Sequence, residues 1–325
     1  MSIRASIANF IMKHMVKRTL ARVTDIESMQ SRFGATPIND TVPEGYALES
    51  EDISGISCEW ISGPDSRDDR VILYLHGGGY VVGSPSAYRD LAARLCSETG
   101  MRVLVPDYRL APAHPFPAAV EDASTIYRYL LSAGISPDAL AVAGDSAGGG
   151  LTVALLSAMR SEGLPMPAAC ALISPWTDLT LSGPSVQTNE RADPMLTPTI
   201  LNVCAKAYVG DRDASAPLAS PLFADHRGFP ATLIHVGSTE ILLSDATRLR
   251  DRMQVSGVDV ALEEWPKMAH VFHLFGKRMP EALEATSKLG QFMKRRVEAA
   301  IRNRPSTEPV VTPTDSKAEG GSAPG

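Results

Sequence analysis

The stretch Gly144-Asp145-Ser146-Ala147-Gly148 decides how this chain folds. It fits Gly-x-Ser-x-Gly, and it joins an apolar β-like run (139–143) to an apolar helix-like run (150–158). A serine on a sharp strand-to-helix turn is lifted off its sheet, with the helix N-terminus behind it. Small neighbours are a steric requirement, because such a turn brings strand and helix backbones close together. At average glycine usage a chain of 325 residues holds roughly 0.1 accidental matches. An idle serine in a glycine-rich turn is therefore the reading that the rest of the chain must exclude.

Upstream, His76-Gly77-Gly78-Gly79 follows the apolar run 71–75. Glycines after a strand leave backbone N–H groups free to point into a cavity, which suits the oxyanion formed when a nucleophile adds to a carbonyl. A phosphate-binding loop would need Gly-x-Gly-x-x-Gly or a Gly-Lys-Ser/Thr ending, and neither is present.

A serine nucleophile needs a base, and the base needs an orienting acid. Of seven histidines, His14 lies in an N-terminal helix-like segment, His76 in the glycine loop, His114 among prolines and His226 in a polar loop. His235 sits inside the apolar run 232–236 and reads as a core residue. His270 follows the strand-like run 258–265 and a short loop, so it can reach the rim of a sheet, and it is preferred over His273. For the acid, Glu240 comes directly after the strand-like run 231–237, whereas Asp245 lies on the helix-like stretch 241–254. Glu240 is the first choice and Asp245 the alternative; without partners, Glu240 would read as a helix N-terminal acid.

These residues resemble the bacterial hormone-sensitive-lipase-like carboxylesterases. The matching segments are His76–Gly79, Asp107-Tyr108-Arg109-Leu110-Ala111-Pro112, His114-Pro115-Phe116-Pro117-Ala118-Ala119, Gly144–Gly149, Glu240-Ile241-Leu242-Leu243 and Met268-Ala269-His270, within residues 45–300. The resemblance implies an α/β-hydrolase fold: a mostly parallel central sheet flanked by helices, with a helical cap built from the N-terminus and an insertion. It implies Ser146 as nucleophile, His270 as base, Glu240 as acid, and the N–H groups of Gly78, Gly79 and Ala147 as oxyanion donors. It implies a serine carboxylesterase for short- to medium-chain acyl esters, and a family that often dimerises. The sequence departs from the commonest family pattern at Glu240-Ile241, where Asp-Pro is usual, which leaves Asp245 open. Two alternatives stay in view: another serine hydrolase activity on amides, peptides or lactones, and a non-catalytic ligand-binding homologue. No metal or organic cofactor is implied.

The expected organisation is an N-terminal part of the cap over 1–45, core over 46–176, cap insertion over 177–228, core over 229–302, and a disordered tail over 303–325. Strands are expected at 57–61, 71–75, 102–106, 140–143, 169–174, 232–236 and 258–265. Helices are expected at 85–98, 117–132, 147–160, 198–208, 241–254 and 280–302. The βαβ alternation argues for a parallel sheet, whose carboxyl edge is where ligands bind. Residues near the acyl pocket are expected to include Tyr80, the loop around Met195 and the apolar face Ile3, Ile7, Phe10 and Ile11. Before Asp25 there are five basic residues, Arg4, Lys13, Lys17, Arg18 and Arg22, and no acidic one. That helix is read as a lid element in preference to a transit peptide or a membrane-surface helix.

Lys plus Arg 31 against Asp plus Glu 37 gives a net charge of −6, which argues against nucleic acid as a partner. Cys58, Cys96, Cys170 and Cys204 have no metal or redox spacing, so reduced thiols and a cytoplasmic protein are expected. No apolar run reaches 18 residues, so no stable membrane insertion is expected. The partners expected are a small-molecule ester and, through strand 258–265 as a sheet edge, a second copy in a homodimer.

Overall fold

Strands buried on both faces read as unbroken apolar runs, because helices cover each side of a parallel sheet. Such runs make the centre of this fold. The computed structural model describes residues 1–33 and 41–304. Eight strands form one sheet: β1 (Ala47–Ile53), β2 (Ile56–Ser62), β3 (Arg67–Leu75), β4 (Met101–Pro106), β5 (Leu140–Asp145), β6 (Ala169–Ile173), β7 (Thr232–Gly237) and β8 (Val260–Trp265). Their order is β1-β2-β4-β3-β5-β6-β7-β8. The pairs β3·β4, β3·β5, β5·β6, β6·β7 and β7·β8 are parallel, and β1·β2 and β2·β4 are antiparallel. This is the α/β-hydrolase fold expected from the sequence.

Alternation along β3 divides the core. Val71, Leu73 and Leu75 enter one hydrophobic cluster, with Leu151 and Leu155 of the helix Ser146–Ser161 and Ile126 of the helix Ala118–Ser132. Ile72 and Tyr74 enter the other, with Leu91 and Leu95 of the helix Arg89–Thr99 and Leu289 and Met293 of the helix Pro280–Asn303. Each fully buried leucine or isoleucine contributes about 1.5–3 kcal/mol against leaving it exposed, so the two layers hold the sheet between them.

One strand is absent from the sequence reading. β1 reads Ala-Leu-Glu-Ser-Glu-Asp-Ile, and only Ile53 is buried. It is an edge strand with no apolar period, held by its register on β2 through the turn Ser54-Gly55. Both turn residues have positive φ, 57° and 83°, which matches the right-handed twist of a two-residue hairpin. The expected helices form with ends shifted by a few residues. The start 85–88 is a separate 3₁₀ turn before Arg89–Thr99, and the stretch 241–254 begins its helix at Leu243.

Residues 177–228 carry a short helix Ser185–Thr188, the helix Pro198–Val209 and the turn Pro221–Phe223. Thr197 caps Pro198–Val209, its side chain accepting from the Ile200 N–H, and Pro198 occupies the first turn where no N–H is needed. The N-terminal segment is helical over Ile3–Ile11, π-helical over Met12–Val16, helical over Lys17–Leu20 and again over Ile26–Phe33. Its first helix is turned the opposite way from expectation. Ala5 and Met12 face inward and are buried, while Ile3, Ile7, Phe10 and Ile11 are exposed. Those four side chains therefore do not line an acyl pocket. The cap segment expected over 1–45 falls partly, and the tail expected from 303 almost wholly, outside the described residues; the last helix runs to Asn303.

Backbone approaches backbone closely between the helix Ser146–Ser161 and the end of β3. A Cβ added at Gly148 would stand 2.1 Å from the Leu75 carbonyl oxygen and 2.2 Å from that of His76. Both obstacles are backbone, so neither can move aside. Gly148→Ala is expected to lower unfolding stability by at least about 1–3 kcal/mol, seen as a fall in the urea midpoint; an unchanged midpoint would refute this packing.

Candidate active site

β5 hands over to the helix Ser146–Ser161 at Ser146 itself, whose φ is +53°. A non-glycine residue in the left-handed region is strained, and it stays there because its surroundings over-determine it. A Cβ at Gly144 would meet the Gly148 carbonyl oxygen at 2.4 Å, and the Trp176 N–H donates to the Ser146 carbonyl at 2.8 Å. The turn can close only with glycines at both positions. Its result is a half-buried Ser146 amid buried neighbours.

Ser146 Oγ lies 2.9 Å from His270 Nε2, and His270 Nδ1 lies 2.8 Å from Glu240 Oε2. A carboxylate only accepts, so Nδ1 carries the proton and Nε2 is free to accept from the serine hydroxyl. Glu240 is itself held: Oε1 accepts from Ser174 Oγ at 2.7 Å and from the Gly237 N–H at the end of β7. Ser174, at the end of β6, also accepts from the Val271 N–H at 3.3 Å, so it touches both the acid and the residue after the histidine. Burial on its own would lower the His270 pKa, but the hydrogen bond and charge of Glu240 outweigh it, and the net direction is upward from 6.5.

The glycine loop is fastened to the same turn from the other side. Asp145 accepts from the hydroxyls of Tyr74 and Tyr88 and from the Gly77 N–H, each at 3.0 Å. Burial raises the Asp145 carboxyl to about 6, against the lowering effect of these donors. The Gly78 carbonyl accepts from the N–H groups of Val81 and Val82, at 3.1 Å each, which turns the loop back on itself. Gly78 has φ +127°, and a Cβ there would lie 1.9 Å from the Val82 carbonyl oxygen. Gly78 and Gly79 are partly open, like Ser146, whereas Gly77 and Ala147 are buried. Ala147 follows Ser146 in the first turn of its helix, where backbone N–H groups lack intrahelical partners.

The segment 107–112 is a brace. Tyr108 donates to the His76 carbonyl at 2.6 Å and stacks on the His76 ring at 4.3 Å. The Ala111 N–H donates to the Tyr80 carbonyl at 2.9 Å. Arg109 is ion-paired with Asp122 and Glu121. The helix Pro198–Val209 sits on the loop: Tyr208 stacks on Tyr80 with centroids 3.8 Å apart, and Cys204 Sγ would be 2.9 Å from a Cβ at Gly79.

Other expected candidates stand elsewhere. Asp245 is buried and accepts from the N–H groups of Thr177 and Asp178, at 2.8 and 2.9 Å. It caps a turn, and Glu240 alone of the two bonds to His270. His273 Nε2 pairs with His235 Nδ1 at 3.1 Å in the core. Three residues escaped the sequence reading: Ser174, Asn189, whose amide donates to the Glu240 carbonyl at 2.9 Å, and Asp193, which accepts from the Ile241 N–H at 2.9 Å. No motif marks them. Among the described residues no group of three or more His, Cys, Asp or Glu side chains is placed to hold a metal ion.

Known proteins share this fold and much of this sequence. Residues 72–274 match the family described as alpha/beta hydrolase fold. An acetyl-hydrolase of Streptomyces hygroscopicus is 42% identical over 267 residues, 82% of this chain and 86% of that protein. An esterase from the bacterial hormone-sensitive lipase family superposes with a TM-score of 0.83 at 39% identity, over 91% of this chain and 99% of that one. EstE5, solved after a soak in p-nitrophenyl butyrate, gives a TM-score of 0.87 at 38% identity, over 92% of this chain and 100% of that one.

His270 should titrate above 6.5 when its ring protons are followed by NMR. Glu240→Gln removes the largest influence raising the pKa and leaves only the charges of Asp193 and Asp145 against burial, so the inflection should move downward. Asp245→Asn should leave it in place. A larger displacement in Asp245→Asn than in Glu240→Gln would reverse the assignment of the acid.

Proposed function

The chain belongs to the α/β-hydrolase family of bacterial hormone-sensitive-lipase-like ester hydrolases, and we propose that it cleaves short- to medium-chain acyl esters through an acyl-serine intermediate. The observation that carries this reading is the unbroken chain from Ser146 Oγ through His270 to Glu240, at 2.9 and 2.8 Å.

Ser146 Oγ attacks the ester carbonyl as His270 Nε2 takes its proton. Glu240 fixes the ring orientation and stabilises the imidazolium. The tetrahedral oxygen accepts from the N–H groups of Gly78, Gly79 and Ala147 as charge develops on it. His270 then gives its proton to the departing alkoxide, leaving the acyl-serine. A water molecule, deprotonated by the same histidine, releases the acid and restores the hydroxyl. Residues 1–45 and 177–228 act as the cap. Tyr208 and Cys204 crowd the glycine loop, which supports an acyl group of limited length. The neighbour soaked with p-nitrophenyl butyrate is consistent with such a substrate. Four free, buried cysteines support a reduced, cytoplasmic setting. β8 ends the strand order and supports pairing across a homodimer.

Ser146→Ala should lower kcat on p-nitrophenyl butyrate by at least about 10⁴-fold, and a fluorophosphonate should label the native chain at Ser146 but not the variant. Unchanged turnover would overturn the nucleophile. Because neutral His270 is the active form and its pKa lies above 6.5, kcat/KM should fall as pH drops through that value, and a profile flat to pH ~4 would contradict the base. Across p-nitrophenyl esters, kcat/KM should peak at short or medium acyl length; a maximum at long chains would refute the pocket proposed.

A further inference from the structure

The first helix carries its apolar ridge on the outside of the molecule. Of the nine large apolar side chains that stand exposed among the described residues, six lie within residues 1–15. Ile3 is 80% exposed, Met15 66%, Phe10 64% and Ile7 54%. A soluble surface scatters such residues singly, and a contiguous ridge marks an interaction site. At 100° per residue, Ile3, Ile7, Phe10 and His14 fall on one line, opposite the buried Ala5 and Met12. An apolar groove of about 430 Å³ continues the ridge between this helix and Phe275–Met279, with Arg4 and Arg278 at its rim.

The charge around the ridge is one-sided. Residues 1–24 hold five basic and no acidic side chains, against −6 for the whole chain, so the remainder carries −6 − 5 = −11. Arg4, Lys13 and Arg18 are exposed beside the ridge. The helix is also fixed to the body. Ser2 bonds to Glu281, Asn9 donates to the Lys267 carbonyl at 2.8 Å, and Lys17 donates to the Asp193 carbonyl at 2.7 Å. An anchored helix with apolar residues outermost and cations on its flanks is built to lie in an interface, with side chains in the acyl boundary and cations at phosphates. A second copy fits poorly, because a two-fold contact would set equally basic flanks against each other.

We propose that this face docks the protein peripherally on an anionic lipid bilayer, without spanning it. Among the described residues no helix is long and apolar enough to cross a membrane, and none is required. Lys267, which holds Asn9, lies three residues before His270, so the docked face adjoins the loop that carries the imidazole. The inference is independent of the serine chemistry, since binding can be read in an inactive chain.

The test is sedimentation of the full chain with vesicles of equal parts phosphatidylglycerol and phosphatidylcholine, beside phosphatidylcholine alone. Binding to the anionic vesicles should be about tenfold stronger or more, and should weaken as salt is raised. The variants I3S/I7S/F10S and R4E/R18E change exposed side chains only, so an unaltered Tm serves as the folding control, and each should lose about tenfold in binding. Failure to bind either vesicle overturns the proposal. So does binding by both variants that equals binding by the native chain, or a dimer in light scattering that I3S/I7S/F10S dissociates while vesicle binding is absent.

Discussion

Backbone meets backbone where the helix after β5 crosses the end of β3, and the rest of the site depends on that approach. The carbonyl oxygens of Leu75 and His76 occupy the space a side chain at 148 would need, and the Gly148 carbonyl occupies the space a side chain at 144 would need. Only because both positions are glycine can Ser146 be held at φ +53°. The same approach sets the glycine loop beside the serine. Asp145, the residue before the nucleophile candidate, bonds to the Gly77 N–H and to two tyrosine hydroxyls. One carboxyl thus links the elbow and the loop. Burial holds its pKa up at about 6, a sign that desolvation is a large part of the cost of keeping it there.

The histidines show how partners, more than burial, decide which imidazole can work near neutral pH. His76, His235, His270 and His273 are all buried. Burial takes His76 to about 4 and His235 to about 3, and takes His273 well below 6.5, with the help of the neighbouring His235 and Arg94. His270 moves the other way because Glu240 sits on its Nδ1. Three rings are thereby kept neutral as packing elements. The fourth can gain a proton and give it back, which is what a general base and acid must do.

Much of the fold was legible because the central parallel strands β3 to β7 leave apolar runs, and β2 and β8 keep enough apolar positions to be read beside them. β1 was not, since an exposed edge strand needs no apolar period and takes its register from its neighbour. Ser146, His270 and Glu240 were readable because each stands just beyond a strand, at the end of the sheet where loops converge. Ser174, Asn189 and Asp193 were not, because their value lies in contacts across 66, 51 and 48 residues of sequence. The first helix shows a different limit. Periodicity revealed that Ile3, Ile7, Phe10 and Ile11 share a face, but not whether that face turns inward. A small side chain decided it: Ala5 lets the opposite face sit close against Trp265, Met268 and Phe272.

That inward seating makes the N-terminal helix part of the site's framework. Lys17 donates to the carbonyls of Glu190 and Asp193, the Asp193 carboxylate accepts from the Ile241 N–H, and Asn189 donates to the Glu240 carbonyl. A continuous run of hydrogen bonds therefore leads from the helix through residues 189–193 to the backbone of Glu240. Asn9 reaches Lys267 on the strand-to-histidine loop, so the two loops that carry the imidazole and its carboxylate are each fastened to the same helix. A freely hinged flap would need few such ties, because every bond to the body must break before it lifts. The arrangement instead resembles a fixed shoulder, whose inner face steadies Glu240 and His270 while its outer face is left apolar and basic. Burying the usual hydrophobic face here would have freed that surface of its liability to association. The cations beside it would set like charges against each other in a two-fold contact through this face.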